Sequence, residues 1–131
     1  MKIIATVDFS TASEPIMRIA KHYAEKLGGE VFLIHAEPVH DRYDEIDHDD
    51  RPELMRLKKD AIAMERAGVK ATAMYLQGPV CDTIINKAFE IKADLIITGA
   101  HGHGNNCKMS VGHISECILL KSKIPVLVVP T

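Results

Sequence analysis

The chain has 131 residues, 47% hydrophobic and 26% charged, with sixteen basic against eighteen acidic side chains and a formal charge of −2. That is the length of one ordinary domain. The slightly acidic balance disfavours a nucleic-acid binder, which would carry a basic excess or stripe. No apolar run reaches the roughly 18 residues of a membrane span, and the amino terminus lacks a leader and cleavage site in series, so a cytoplasmic protein that neither binds nor crosses membranes is expected.

Apolar runs of strand length alternate with segments of helical period along the chain. Ile3 to Val7 is continuous and β-branched, as suits a parallel strand buried on both faces. Ile16, Ile19, Ala20, Tyr23, Ala24 and Leu27 then recur at three- and four-residue steps, one stripe of a helix that Gly28 and Gly29 end. Ser10 and Ser13 are candidate N-caps, and Pro15 fits only because it lies in the first turn. Val31 to Ile34 makes a second strand, with His35 packing at its end.

A polar stretch from about Glu37 to Arg51 carries six acidic residues beyond Glu37 beside His40 and His48, and reads as a solvated connection. Pro52 opens a second helix, whose apolar positions are Leu54, Met55, Leu57, Ala61, Ile62 and Met64, the methionines filling core. Val69 to Tyr75 alternates as a half-buried strand. Pro79 opens a third helix through Val80, Ile84, Ile85, Ala88 and Ile91. Leu95 to Thr98 is a fourth strand, and a glycine-rich loop runs from Gly99 to about Ser110. A fourth helix uses Val111, Ile114 and Ile118, and Pro125 leads into Val126 to Val129.

Five strands and four helices in alternation predict one α/β domain, a parallel sheet with helices on both faces. Cys81, Cys107 and Cys117 are an odd set without C-x-x-C spacing, so reduced thiols are expected. Cys81 and Cys117 fall in helical patterns as core or near-core residues, and Cys107 lies in the glycine-rich loop.

Ligands of open parallel sheets bind beyond the carboxyl ends of the strands, where strand order reverses. The first strand ends in Asp8, and the fourth in Thr98 and Gly99, followed by Ala100-His101-Gly102-His103-Gly104. Glycines there let backbone N–H groups surround an anion, and the next helix adds its positive end, which suits a polyphosphate. Asp8 offers an acceptor for a ribose hydroxyl or a hydrated metal ion; as the alternative, it caps the following helix. His101, His103 and His113 read as solvent- or phosphate-facing imidazoles, since their spacing fixes no tetrahedral metal site. No Walker sequence is present, nor any paired carboxylates, placed lysine or arginine finger, so an efficient enzyme is not expected, at most slow ATP hydrolysis.

These residues carry a resemblance over essentially the whole chain. Val7-Asp8-Phe9-Ser10, Leu33-Ile34-His35-Ala36, Asp94 to Gly102 and Ile124 to Val129 are similar to stretches of the universal stress proteins. The resemblance implies a Rossmann-like sheet of order 3-2-1-4-5, a homodimer pairing the last strands Val126 to Val129, and a role in stress survival. Members that bind ATP carry G-x-x-G, nine residues, then Gly followed by Ser or Thr. Gly99, Gly102 and Gly112 match, and His113 stands at the Ser/Thr position. Carried over, Thr6, Val7 and Ala36 would line the adenine and Asp8 the ribose or a metal-linked contact. Gly99, Gly102 and Gly112 would give the phosphates of ATP room, with Mg bound through them, and Thr98, His101, His113 and Ile114 would belong to the same nucleotide site. His113 either grips phosphate as a cation or fills the pocket. In the second case the protein is a ligand-free interaction module.

Overall fold

The computed structural model describes residues 1–9, 13–39, 51–100 and 113–130. In chain order the elements are β1 (Lys2–Thr6), α1 (Ser13–Leu27), β2 (Glu30–Glu37), α2 (Pro52–Arg66), β3 (Ala71–Gln77), α3 (Val80–Ile91), β4 (Leu95–Gly99), α4 (His113–Lys121) and β5 (Val126–Val129). The strands form one parallel sheet of order β3-β2-β1-β4-β5. β1 lies at its centre, with Ile3, Ile4 and Ala5 opposite both β2 and β4.

Alternation of side chains along buried strands divides the core into two layers. Ile3, Ala5, Val7, Val31, Leu33 and Ile97 face α1 and α2. Ile4, Phe32, Ile34 and Ile96 face the other way, against Ile84 and Ala88 of α3 and Ile118 of α4. Since α1 follows β1 on one face and α4 follows β4 on the other, the chain leaves these neighbouring strands in opposite directions and opens a crevice beyond their carboxyl ends.

The helical stripes are narrower than the sequence reading. In α2 the buried residues are Leu54, Leu57, Ala61 and Met64, at steps of three and four. Met55 and Ile62 lie off that stripe, 61% and 52% exposed, so Met55 is no core filler. Leu27, the last residue of α1, is likewise exposed. Gly28 ends that helix as expected, in the left-handed conformation at φ 70°. β2 continues through Glu37, which pairs with Gln77, so the expected polar connection begins later than Glu37. β3 starts at Ala71 rather than Val69. Gly78 turns β3 into α3 at φ 144°, and a Cβ there would sit 2.5 Å from Thr83 Oγ1.

The cysteine reading needs correction. Cys81 of α3 and Cys117 of α4 are joined in a disulfide, their Cα atoms 6.2 Å apart. The odd count concealed this, because it says nothing of which two sulfurs the helices bring together on one face of the sheet. Cys107 lies outside the described residues, as do Ser10, His40, His48, His101, Gly102, His103, Val111 and Gly112. Among the described residues, no helix is long and apolar enough to cross a membrane.

Candidate functional site

The carboxyl ends of β1 and β4 are bound side by side. Thr6 Oγ1 donates to Thr98 Oγ1 at 3.0 Å, so two of the predicted residues share a hydrogen bond. The chain then continues past β1 through Val7, whose N–H donates to the Ile34 carbonyl at 2.8 Å. Val7 is buried, and its carbonyl accepts from His35 Nδ1 at 2.7 Å. Because a carbonyl only accepts, that ring nitrogen carries the proton.

Asp8 and Phe9 form the turn that follows. Phe9 stands at φ 64°, a left-handed conformation that costs a non-glycine residue about 1 kcal/mol or more. Ser13, the first residue of α1, holds the turn: its Oγ accepts from the Phe9 N–H at 3.0 Å and donates to Asp8 Oδ1 at 3.3 Å. Ser13 therefore ties helix to turn instead of acting as a simple cap. Phe9 is packed between His35, with ring centres 4.8 Å apart, and the Arg56 guanidinium, 4.5 Å from its ring. α2 thus brings a cation beside the end of β1.

On the other side of the crevice, Gly99 ends β4 and is buried. Ala100 N–H donates to the Val129 carbonyl at 2.9 Å, and Ser115 Oγ donates to the Gly99 carbonyl. That second bond fixes the first turn of α4 against the end of β4. His113, the first residue of α4, is exposed, and Ile114 is partly so. The first N–H groups of a helix lack partners within it and carry its positive end, so this turn can receive an anion.

Ala36 lies near the end of β2, opposite Leu76. Around it His35, expected to pack at this strand end, is joined by side chains the sequence did not single out, Glu37, Arg51 and Tyr75. His35, 9% exposed, lies in β2 opposite Tyr75, with ring centres 5.9 Å apart. Its Nε2 faces Glu37 Oε2 at 3.7 Å. The Tyr75 hydroxyl donates to Glu37 Oε1, and the Arg51 guanidinium lies 5.2 Å from the centre of the Tyr75 ring. Burial first, then the bond to Glu37, push the Tyr75 hydroxyl up from its ordinary 10.0 to about 12. The sequence signal for this group was the polar residues His35 and Glu37 closing an apolar strand. For Ser115, sixteen positions from its acceptor, there was none.

Thr6, Val7, Asp8, Thr98 and Gly99 are thus gathered at one edge of the sheet, with Ala36 on the neighbouring strand. His113 and Ile114 begin the helix that Ser115 pins to that edge. His101, Gly102 and Gly112 lie outside the described residues. A separate groove of about 470 Å3 runs between α1 and β5, lined by Arg18, Ile19, Tyr23, Leu127, Val128 and Pro130 among others.

The model of the universal stress protein family matches residues 1–130. A relative from Thermus aquaticus, the universal stress protein in QAH/OAS sulfhydrylase 3′ region, is 32% identical over 132 residues, 97% of this chain and 96% of that protein. A solved universal stress protein in complex with cAMP superposes with a TM-score of 0.79 at 20% identity, covering 98% of this chain and 96% of that one. The universal stress protein from Archaeoglobus fulgidus in complex with dAMP gives 0.75 at 24% identity, again covering 98% and 96%.

Proposed function

The chain belongs to the universal stress protein family, and on that premise we propose that it is an ATP-binding regulatory module of the stress response. It works in the cytoplasm as a homodimer and does not act as an efficient enzyme. The observation that carries the reading is the joined ends of β1 and β4, at the point where strand order reverses. There, Asp8 follows β1 on the way to α1, and the chain after β4 goes on to α4 on the other face of the sheet. The same fold houses adenine nucleotides in the two complexes named above.

The residues present fit an adenine nucleotide. Main chain near Thr6, Val7 and Ala36 borders the base, the Val7 carbonyl keeping one lone pair beyond its bond from His35, and Asp8 brings a carboxylate for the ribose or for Mg carried on the phosphates. Gly99, buried at the end of β4, leaves room at the phosphates, and the family pattern assigns the same part to Gly102 and Gly112. Thr98 braces Gly99 through Thr6, while His113 and Ile114 open the helix at the phosphate end, a place the resemblance also gives to His101. His113 replaces the hydroxyl of the family pattern, and its exposure supports a ring that meets phosphate over one that fills the hollow. The alternative, an interaction module without nucleotide, has the ring blocking that space.

The dimer is supported by β5, an edge strand of four apolar residues beside the α1 groove. A bare edge of this kind invites strand pairing, and a second copy of the chain supplies it.

The test is nucleotide release. Protein purified without added ligand, denatured and run on ion-pair chromatography should yield adenine nucleotide. A nucleotide-free preparation that also fails to bind ATP with magnesium would overturn the reading. His113→Ser separates the two roles of the ring: lower ATP affinity marks a phosphate contact, and higher affinity marks an obstruction.

A further inference from the structure

The Cys81–Cys117 disulfide has no part in the nucleotide site as derived above, yet it lies close to it in the fold. Cys81 is the second residue of α3, and Cys117 lies one turn into α4, four residues after His113. Both helices follow strands of a parallel sheet, so both first turns stand at the carboxyl edge, where the ligand is placed. We propose that this disulfide is a reversible thiol–disulfide site that latches the first turns of α3 and α4 together, and so holds the phosphate-facing end of α4 in its binding position. The coupling to ligand rests on the nucleotide reading; the latch itself does not.

The two sulfurs are unequally placed. Cys81 is buried, while Cys117 is partly accessible, so an incoming thiolate attacks the Cys117 sulfur. The substrate class is a small dithiol or a dithiol protein. One of its thiolates bonds to Cys117, the S–S bond breaks, and Cys81 leaves as a thiolate that takes up a proton. The second thiol of the reductant then displaces Cys117, leaving two protein thiols and one oxidised dithiol, two electrons having passed to the cystine. Cys81 leaves at the amino-terminal turn of a twelve-residue helix, an environment that favours a thiolate. Cytoplasmic disulfides are in general transient and redox-sensing, which agrees with a latch that opens.

What remains after reduction keeps α4 on the sheet, but its first turn is then held by one side-chain hydrogen bond where the disulfide had added a second anchor. Ile118 is fully buried against the α3 face, and Ser115 still bonds the Gly99 carbonyl. The Lys121–Asp82 ion pair, 2.9 Å long, also joins the helices, but both partners are about half exposed and water screens it. The first turn of α4 therefore gains freedom on reduction, and a phosphate site that must order it binds more weakly.

The experiment compares the oxidised and dithiothreitol-reduced full chain. Alkylation under denaturing conditions should block one thiol before reduction and three after, with peptide mapping assigning the bridge to Cys81 and Cys117. Amide exchange in residues 113–121 should rise at least fivefold on reduction while that of α2 stays constant, and ATP affinity should fall three- to tenfold. Cys117→Ala should behave as the reduced form whether or not oxidant is present. Three free thiols in the oxidised sample, a bridge to Cys107, or equal α4 exchange in the two forms would each overturn the latch. Loosening of α4 with equal ATP affinity in both forms would overturn its coupling to the site. Loosening in a protein that binds ATP in neither form would support the latch and refute the nucleotide reading instead.

Discussion

His35→Phe removes the hydrogen bond that holds the β1 turn from behind. Phenylalanine keeps a planar, slightly larger ring between Phe9 and Tyr75, at centre distances of 4.8 and 5.9 Å in the native protein, and removes both ring nitrogens, the 3.7 Å approach of Nε2 to Glu37 included. The Val7 carbonyl then loses the donor that stands 2.7 Å away. Both residues are buried, Val7 at 3% exposure, so water does not take the donor's place. An orphaned buried carbonyl costs about 1–3 kcal/mol, against which the more apolar ring recovers part. A net loss of about 1–2 kcal/mol is expected, a five- to thirtyfold rise in the unfolding constant. In a chain of this size that lowers the thermal midpoint by roughly 3–10 °C. Urea unfolding of both proteins with the disulfide intact measures it, followed in parallel by circular dichroism and tyrosine fluorescence to check for a single transition. A variant within 0.5 kcal/mol of the native protein, about the limit of such comparisons, would refute the argument that this bond is buried and unreplaced.

Three further outcomes follow from the same structure. Tyr75 keeps its proton in the folded state until about pH 12, while the unfolded chain loses it near 10, so its contribution to stability is complete below pH 10 and is lost as pH rises towards 12. Absorbance of tyrosinate at alkaline pH should show one of the three tyrosines titrating late, and Tyr75→Phe should remove that step and flatten the alkaline fall in stability. Lys92 ends α3 in the left-handed conformation at φ 58°, so Lys92→Gly should raise stability by about 0.5–1 kcal/mol in urea unfolding. Val128→Lys places a charge on the β5 edge beside the α1 groove and should turn a dimeric mass in light scattering into a monomeric one; a native protein already monomeric at micromolar concentration would remove the dimer from the proposal.

Much of this architecture was legible without coordinates, for a definite reason. Strands buried on both faces must be apolar throughout, so Ile3 to Val7 and Leu95 to Thr98 announced themselves as central strands. Their order implied that Asp8 and Gly99 end at the same edge. Periodicity also marked the buried stripes of α1 and α3. It overreached in α2, where Met55 and Ile62 are apolar but point away from the sheet, because composition alone does not fix the angle at which a helix meets its neighbour. What only the tertiary structure decided were pairings between groups far apart in the chain. His35 reaches back to Val7 and across to Glu37 and Tyr75, Ser115 reaches the Gly99 carbonyl, and Cys81 meets Cys117 at a separation of 36 residues. Each depends on which helix lies on which face and on the register between strands. A sequence states the chemistry each side chain brings, but partners are chosen by packing, and packing is a property of the whole sheet and its two layers.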